Sequence, residues 1–282
     1  MVSVKVASFV SAVVLIATAA HTGARAADLP LPPVVPPPIE EYVVSGWYLR
    51  GDIGMTNQQT GSLNNALYST ATSVTTAQKD WDSSPLFGLG AGYQWNTWLR
   101  TDVTGEYRGK ANFHGLDIVN NHGTMLTDQY QASKSEWLVL ANLYVDLGTW
   151  YSFTPFVGFG VGAARNTISS FTDTCATVSG CPGGSVATGA TASKWNFAWA
   201  AHAGVSYKVN NQLSFEFAYR YVDLGDAMSG DLVTFTGTNN VYNPMEFKHL
   251  TSHDLKFGLR WMLEPPMPMQ QPMMLPPLIR KG

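Results

Sequence analysis

Charge is what this sequence has least of. Asp, Glu, Lys and Arg make up 13% of 282 residues, about half the share of a soluble domain. No basic stripe occurs and the sequence pI is near 6.0, which excludes a nucleic-acid-binding surface. Cysteine is nearly absent, with two residues. Proline is almost missing from the middle of the chain, where only Pro85, Pro155, Pro182 and Pro244 occur. Beyond the first 26 residues no apolar run reaches 18, so no segment has the composition of a transmembrane helix.

What is present is uneven. The first residues combine Lys5, an apolar run from Val6 to Ala20, and Ala24-Arg25-Ala26. This is the pattern of a secretory signal peptide over residues 1–26. Its removal takes Lys5 and Arg25 from 17 basic residues, leaving 15 against 20 acidic. Export to an oxidising compartment makes Cys175 and Cys181 candidates for a disulfide clip in a loop. A metal site there lacks further ligands. Six prolines crowd Pro30–Pro38 and six crowd Pro265–Pro277. Proline cannot donate to a sheet ladder, so residues 27–45 and 264–282 are expected to be extended periplasmic spacers flanking a body at 46–263.

Inside the body, apolar and polar residues alternate in eight segments: 46–58, 85–95, 98–110, 136–147, 153–168, 195–208, 213–224 and 252–263. Each matches the roughly 9–11 residues of a tilted strand crossing a bilayer. Glycine at every second place, as in "FGLGAGY", would damage a helix. Short connections ("QWNTW", "LGTWYSFT", "KVNNQ") alternate with long polar ones, 59–84, 111–135, 169–194 and 225–251, expected to be loops. The expected fold is all-β: an eight-stranded antiparallel transmembrane β-barrel with Pro-rich tails and both termini in the periplasm.

The faces sort sharply. Trp47, Leu49, Ile53, Phe87, Leu89, Phe159, Phe217, Leu255, Phe257 and Leu259 fall on one side. Arg50, Asp52, Arg100, Asp102, Glu106, Arg108, Asp146, Glu216, Arg220, Asp254, Lys256 and Arg260 fall on the other. We expect the apolar set to meet lipid and the six bases and six acids to pair in the lumen. Gly88, Gly90, Gly92, Gly158, Gly160 and Gly162 would leave room for the long side chains. Trp47, Trp95, Trp98, Trp150 and Trp261 gather at the short-turn end, and Tyr107, Trp137, Trp195 and Tyr221 near the other. Two aromatic belts are what membrane interfaces select.

"GWYLRGDIGM" after a Pro-rich spacer, "LGAGYQWNTWLRTDVTGEYR" and the glycine-rich fifth strand resemble the small outer-membrane β-barrel proteins of alphaproteobacteria, labelled porin-family or opacity-like. Their barrel is similar to that of OmpX and the OmpA membrane domain. The resemblance implies residence in the cell outer membrane, contact with its lipid, and insertion by the barrel-assembly machinery. Lys256, Gly258, Trp261 and Leu263 resemble the assembly signal of the last strand, although 19 residues follow Leu263 where such barrels usually stop. The tails could then meet a periplasmic partner such as peptidoglycan.

Chemistry is scarce. "GLGAGY" lacks dinucleotide-loop spacing and no helix follows it. Ser252, His253 and Asp254 are consecutive, and strand residues alternate faces, so they cannot form a relay. His114, His122, His249 and His253 leave a haem or metal site conceivable, with solvated histidines the plainer reading. No catalytic residue, metal ligand or cofactor is expected. Three roles compete: a structural envelope barrel, a small-solute pore, and a surface receptor or adhesin.

Overall fold

A computed structural model describes residues 42–43, 45–175, 185–237, 239, 241–263 and 267–268. The expected signal peptide, most of both spacers and Cys181 lie outside them. The strands in chain order are β1 (Tyr42–Val43), β2 (Gly46–Asn64), β3 (Ser73–Trp81), β4 (Ser84–Gln94), β5 (Leu99–Asn121), β6 (Thr124–Asp146), β7 (Phe153–Cys175), β8 (Val186–Gly189), β9 (Ala192–Lys208), β10 (Leu213–Met228), β11 (Leu232–Thr234), β12 (Glu246–Met262) and β13 (Met267–Pro268). The one helical segment described is a 3-10 turn, Ala66–Thr70.

Eight of these strands form a closed ring of antiparallel ladders. β2 pairs with β4, β4 with β5, β5 with β6, β6 with β7, β7 with β9, β9 with β10, β10 with β12, and β12 returns to β2. Closure leaves these strands no free edge, which a sheet in lipid requires. The connections at one end are tight. The Asn96 carboxamide oxygen accepts from the backbone N–H of Trp98 and Leu99, at 2.9 and 2.8 Å. Asn210 repeats the device on Gln212 and Leu213, at 2.8 Å each. An Asn side chain that substitutes for a turn's backbone acceptor fixes a short hairpin.

The long polar stretches are a correction to the sequence reading. Among the described residues they are not mainly loops: the ring strands continue into them. β5, β6 and β7 each run 23 residues, about twice what a bilayer crossing needs. β5 and β6 meet in a tight turn at His122 and Gly123, whose φ values of 51° and 95° match the left-handed pair of a hairpin turn. β3 lies against the upper part of β5, and β8 and β11 extend the sheet beyond β7.

Within the expected spacers the described residues are few: Tyr42 pairs with Pro268 and Val43 with Met267.

Candidate functional site

The interior has two storeys. In the lower one the side chains of β2, β4, β5, β6, β9, β10 and β12 alternate between buried and exposed. Trp47, Leu49, Ile53, Phe87, Leu89, Phe159, Phe217, Leu255, Phe257 and Leu259 are exposed on the outside. All twelve charged residues named from the sequence are buried. Lys134 and Glu136, also buried, join them, making seven bases and seven acids. Glu136 shares its face and its strand with Asp146, so parity along β6 could have found it.

These fourteen groups are one connected network. Arg50 contacts Asp52, Asp102 and Glu216 at 2.8, 2.9 and 3.3 Å. Glu216 also receives Arg100 at 2.9 Å and Arg260 at 3.2 Å, and Arg100 continues to Asp146 at 3.1 Å. Lys256 lies between Asp52 and Glu106, at 3.5 and 3.3 Å. Arg220 links Glu106 to Asp254 at 2.5 and 2.7 Å. Arg108 meets Asp254, Glu106 and Glu136, and Glu136 meets Lys134 at 2.5 Å. Isolated charges could not be buried this way; paired and balanced ones can.

Glycines open the space. A Cβ on Gly92 would strike the Tyr48 ring, one on Gly158 the Tyr144 ring, and one on Gly160 the Asn142 carboxamide. Those rings matter to the network. Tyr48 donates to Asp102 at 3.1 Å, Arg50 donates to the Tyr144 hydroxyl at 3.2 Å, and the Arg100 guanidinium lies 4.4 Å from the Tyr144 ring centroid.

The upper storey is apolar. Leu63, Trp81, Phe113, Tyr130, Ile168, Phe171, Leu224, Phe247 and Leu250 pack inside the extended ring. Trp81 lies 4.7 Å from Phe113 and 5.4 Å from Phe247, centroid to centroid. Lys134 joins the storeys: its ammonium lies 5.0 Å from the Trp81 ring. This core has no counterpart in the sequence reading, which placed only charges and glycines inside.

Ser252 and Asp254 are buried and bonded to each other at 2.5 Å, held by Arg108. His253 lies on the opposite face, bonded to the Tyr219 hydroxyl at 2.5 Å. The three do not converge. His114, His122 and His249 are exposed, and among the described residues no group of three or more His, Cys, Asp or Glu is placed to hold a metal ion. Cys175 is disulfide-bonded, and the Cys181 end of the expected clip lies outside the described residues. On β12, Lys256 and Gly258 face inward while Trp261 is exposed, as is Leu263 just past the strand's end.

Residues 10–261 match the outer membrane protein beta-barrel domain family. The chain belongs to that family. Its place is the outer membrane, with the exposed apolar girdle against lipid. An uncharacterized protein of Brucella suis is 33% identical over 222 residues, 71% of this chain and 76% of its own. A candidate adhesin of Rickettsia prowazekii is 28% identical, covering 78% of this chain and 89% of its own. The outer membrane protein PagN of Salmonella typhimurium is 25% identical over 45% of this chain and 50% of its own. Among solved structures, OprG from Pseudomonas aeruginosa aligns at a TM-score of 0.45 and 15% identity, over 78% of this chain and 98% of its own. Neisserial surface protein A aligns at 0.40 and 15%, over 78% and 99%.

Proposed function

We propose that the chain is an eight-stranded transmembrane barrel with a closed lumen, a non-enzymatic structural protein of the envelope that holds a rigid platform outside the membrane. The observation that carries this reading is the fourteen-member charge network across the lower storey, capped by the apolar core above. An eight-stranded ring leaves an interior that side chains can fill. A solute would have to break several buried ion pairs and then cross an apolar core.

Single-channel recording in planar bilayers tests the reading. The folded full chain should give no large steady conductance. A stable open level would favour the small-solute pore instead.

A second reading rests on the Rickettsia relative: the platform acts as an adhesive or receptor surface. Cells expressing the chain would then adhere to host cells more than cells expressing a version with the Asn121–Met125 hairpin tip exchanged. Assembly through Lys256, Gly258, Trp261 and Leu263, and contact of the tails with peptidoglycan, belong to the same proposal.

A further inference from the structure

The mouth of the upper storey breaks the charge rule of the lower one. Asp117 on β5 stands directly opposite Asp128 on β6, and Asp173 on β7 stands directly opposite Tyr130 on β6. Like charges facing across a ladder are destabilising. The charged neighbours that act on Asp173 are Asp128 and Asp117, and on Asp128 it is Asp117; no base stands among them. Asp117 is fully buried. One of its oxygens accepts a hydrogen bond from the Tyr68 hydroxyl, and the other has no hydrogen-bond partner.

Asp128, Tyr130 and Asp173, though not Asp117, border a cavity. It measures about 250 Å³, and Asp128, Asp173, Tyr68, Tyr130, Leu232 and Met245 are among its lining residues. A second cavity of about 470 Å³ shares Asp128, Asp173 and Leu232. The smaller volume lies below the roughly 300–1,000 Å³ of sites for drug-sized ligands, so it suits a short chain. Its walls mix apolar and aromatic side chains with Asn65, Thr70, Asn121 and Asn243, Asp128 and Asp173 give it an anionic pole, and Tyr130, Leu232 and Met245 join it to the apolar core.

We propose that this cavity binds an alkylammonium group, carried either by a free diamine or by a lysine side chain of a peptide. The ammonium supplies the counter-charge that Asp128 and Asp173 lack, the tyrosine rings supply faces that attract cations, and Leu232 and Met245 take the alkyl stem. A bare metal ion suits the site less, because no three ligating side chains are placed around one point. The inference does not depend on whether the lumen conducts.

The test uses the full chain folded in detergent micelles and titrated calorimetrically with cadaverine, and separately with a blocked peptide containing one lysine. At pH 8 at least one of the two should bind saturably, and which one does identifies the source of the group. Asp128→Asn and Asp173→Asn should each weaken binding at least tenfold while heat-modifiable gel mobility stays unchanged. The unaltered chain offers a second measurement. Burial first, then Asp128 and Asp117, push the Asp173 carboxyl up to about 7. It therefore takes a proton on going to pH 5.5, and binding should weaken there. Two results would overturn the proposal: neither probe binding at pH 8, or undiminished binding by both variants.

Discussion

Glu216 is one carboxylate facing three guanidinium groups, those of Arg50, Arg100 and Arg260. Removing its charge leaves three buried cations short of a partner. Breaking a buried pair from one side costs about 3–5 kcal/mol, so Glu216→Gln should destabilise the folded barrel by that order in urea titrations followed by tryptophan fluorescence. Arg50→Ala and Arg260→Ala each remove one donor from the same carboxylate. Their combined effect should differ from the sum of the singles by about 0.5–3 kcal/mol, because members of one network do not act independently. Additive costs would mean the contacts work separately. Asp173 behaves in the opposite sense to a paired carboxylate. Its folded pKa is raised to about 7 by burial and by Asp128 and Asp117, above the value of about 3.9 expected in an unfolded chain. The folded state thus binds the proton more tightly, and ionisation costs stability that is fully lost above pH 7 and recovered below pH 4. Asp173→Asn should therefore protect the upper strands from proteolysis at pH 8 relative to the parent chain. At pH 4 the two should be alike.

At the scale of the element, the strands were legible only up to their irregularities. The alternating segments ended at Lys110 in β5, at Ile168 in β7 and at Leu224 in β10, and began at Ser252 in β12. The ladders shift register at those places: between Arg108 and Ala111, between Gln131 and Ser133 opposite β7, and between Asp223, Gly225 and Ala227 opposite β12. A bulge sets two residues against one, so the inward positions change parity. In β5 they pass from Arg100–Arg108 on even numbers to Ala111, Phe113, Gly115 and Asp117 on odd ones. A period-2 reading sees the pattern collapse, although the strand goes on. Deleting Lys110 removes one bulge residue and leaves Phe113 facing in. That deletion should keep heat-modifiable mobility and the protease resistance of the β5–β6 hairpin. A chain that fails to fold without Lys110 would show that the bend itself, and not the facing of side chains, is what the bulge provides.

For the whole molecule, the membrane zone was open to reading because lipid outside and charge inside impose opposite chemistries on alternate residues. Nothing comparable marks the upper storey, whose outside meets water and whose inside is an ordinary apolar core drawn from many strands, β2, β3, β5, β6, β7, β10 and β12 among them. The acidic mouth was invisible for the same reason: Asp117, Asp128 and Asp173 are 11 and 45 residues apart along the chain and meet only through the ladders. The lower rim carries the last consequence. The ring is complete at Met262, whose N–H reaches the Gln212 carbonyl at 2.7 Å, and Leu263 adds a bond to the Trp47 carbonyl at 2.9 Å. The only described contact beyond it is the two-residue pairing of β1 with β13, too short to hold a sheet by itself. Deleting residues 264–282 should therefore leave insertion and heat-modifiable mobility intact. If Arg280 and Lys281 at the tip touch an anionic wall polymer, the truncated barrel should also extract more readily from cell-wall fractions. Failure to insert would place the tail within the assembly signal, and unchanged co-sedimentation with the wall would remove the periplasmic contact from the proposal.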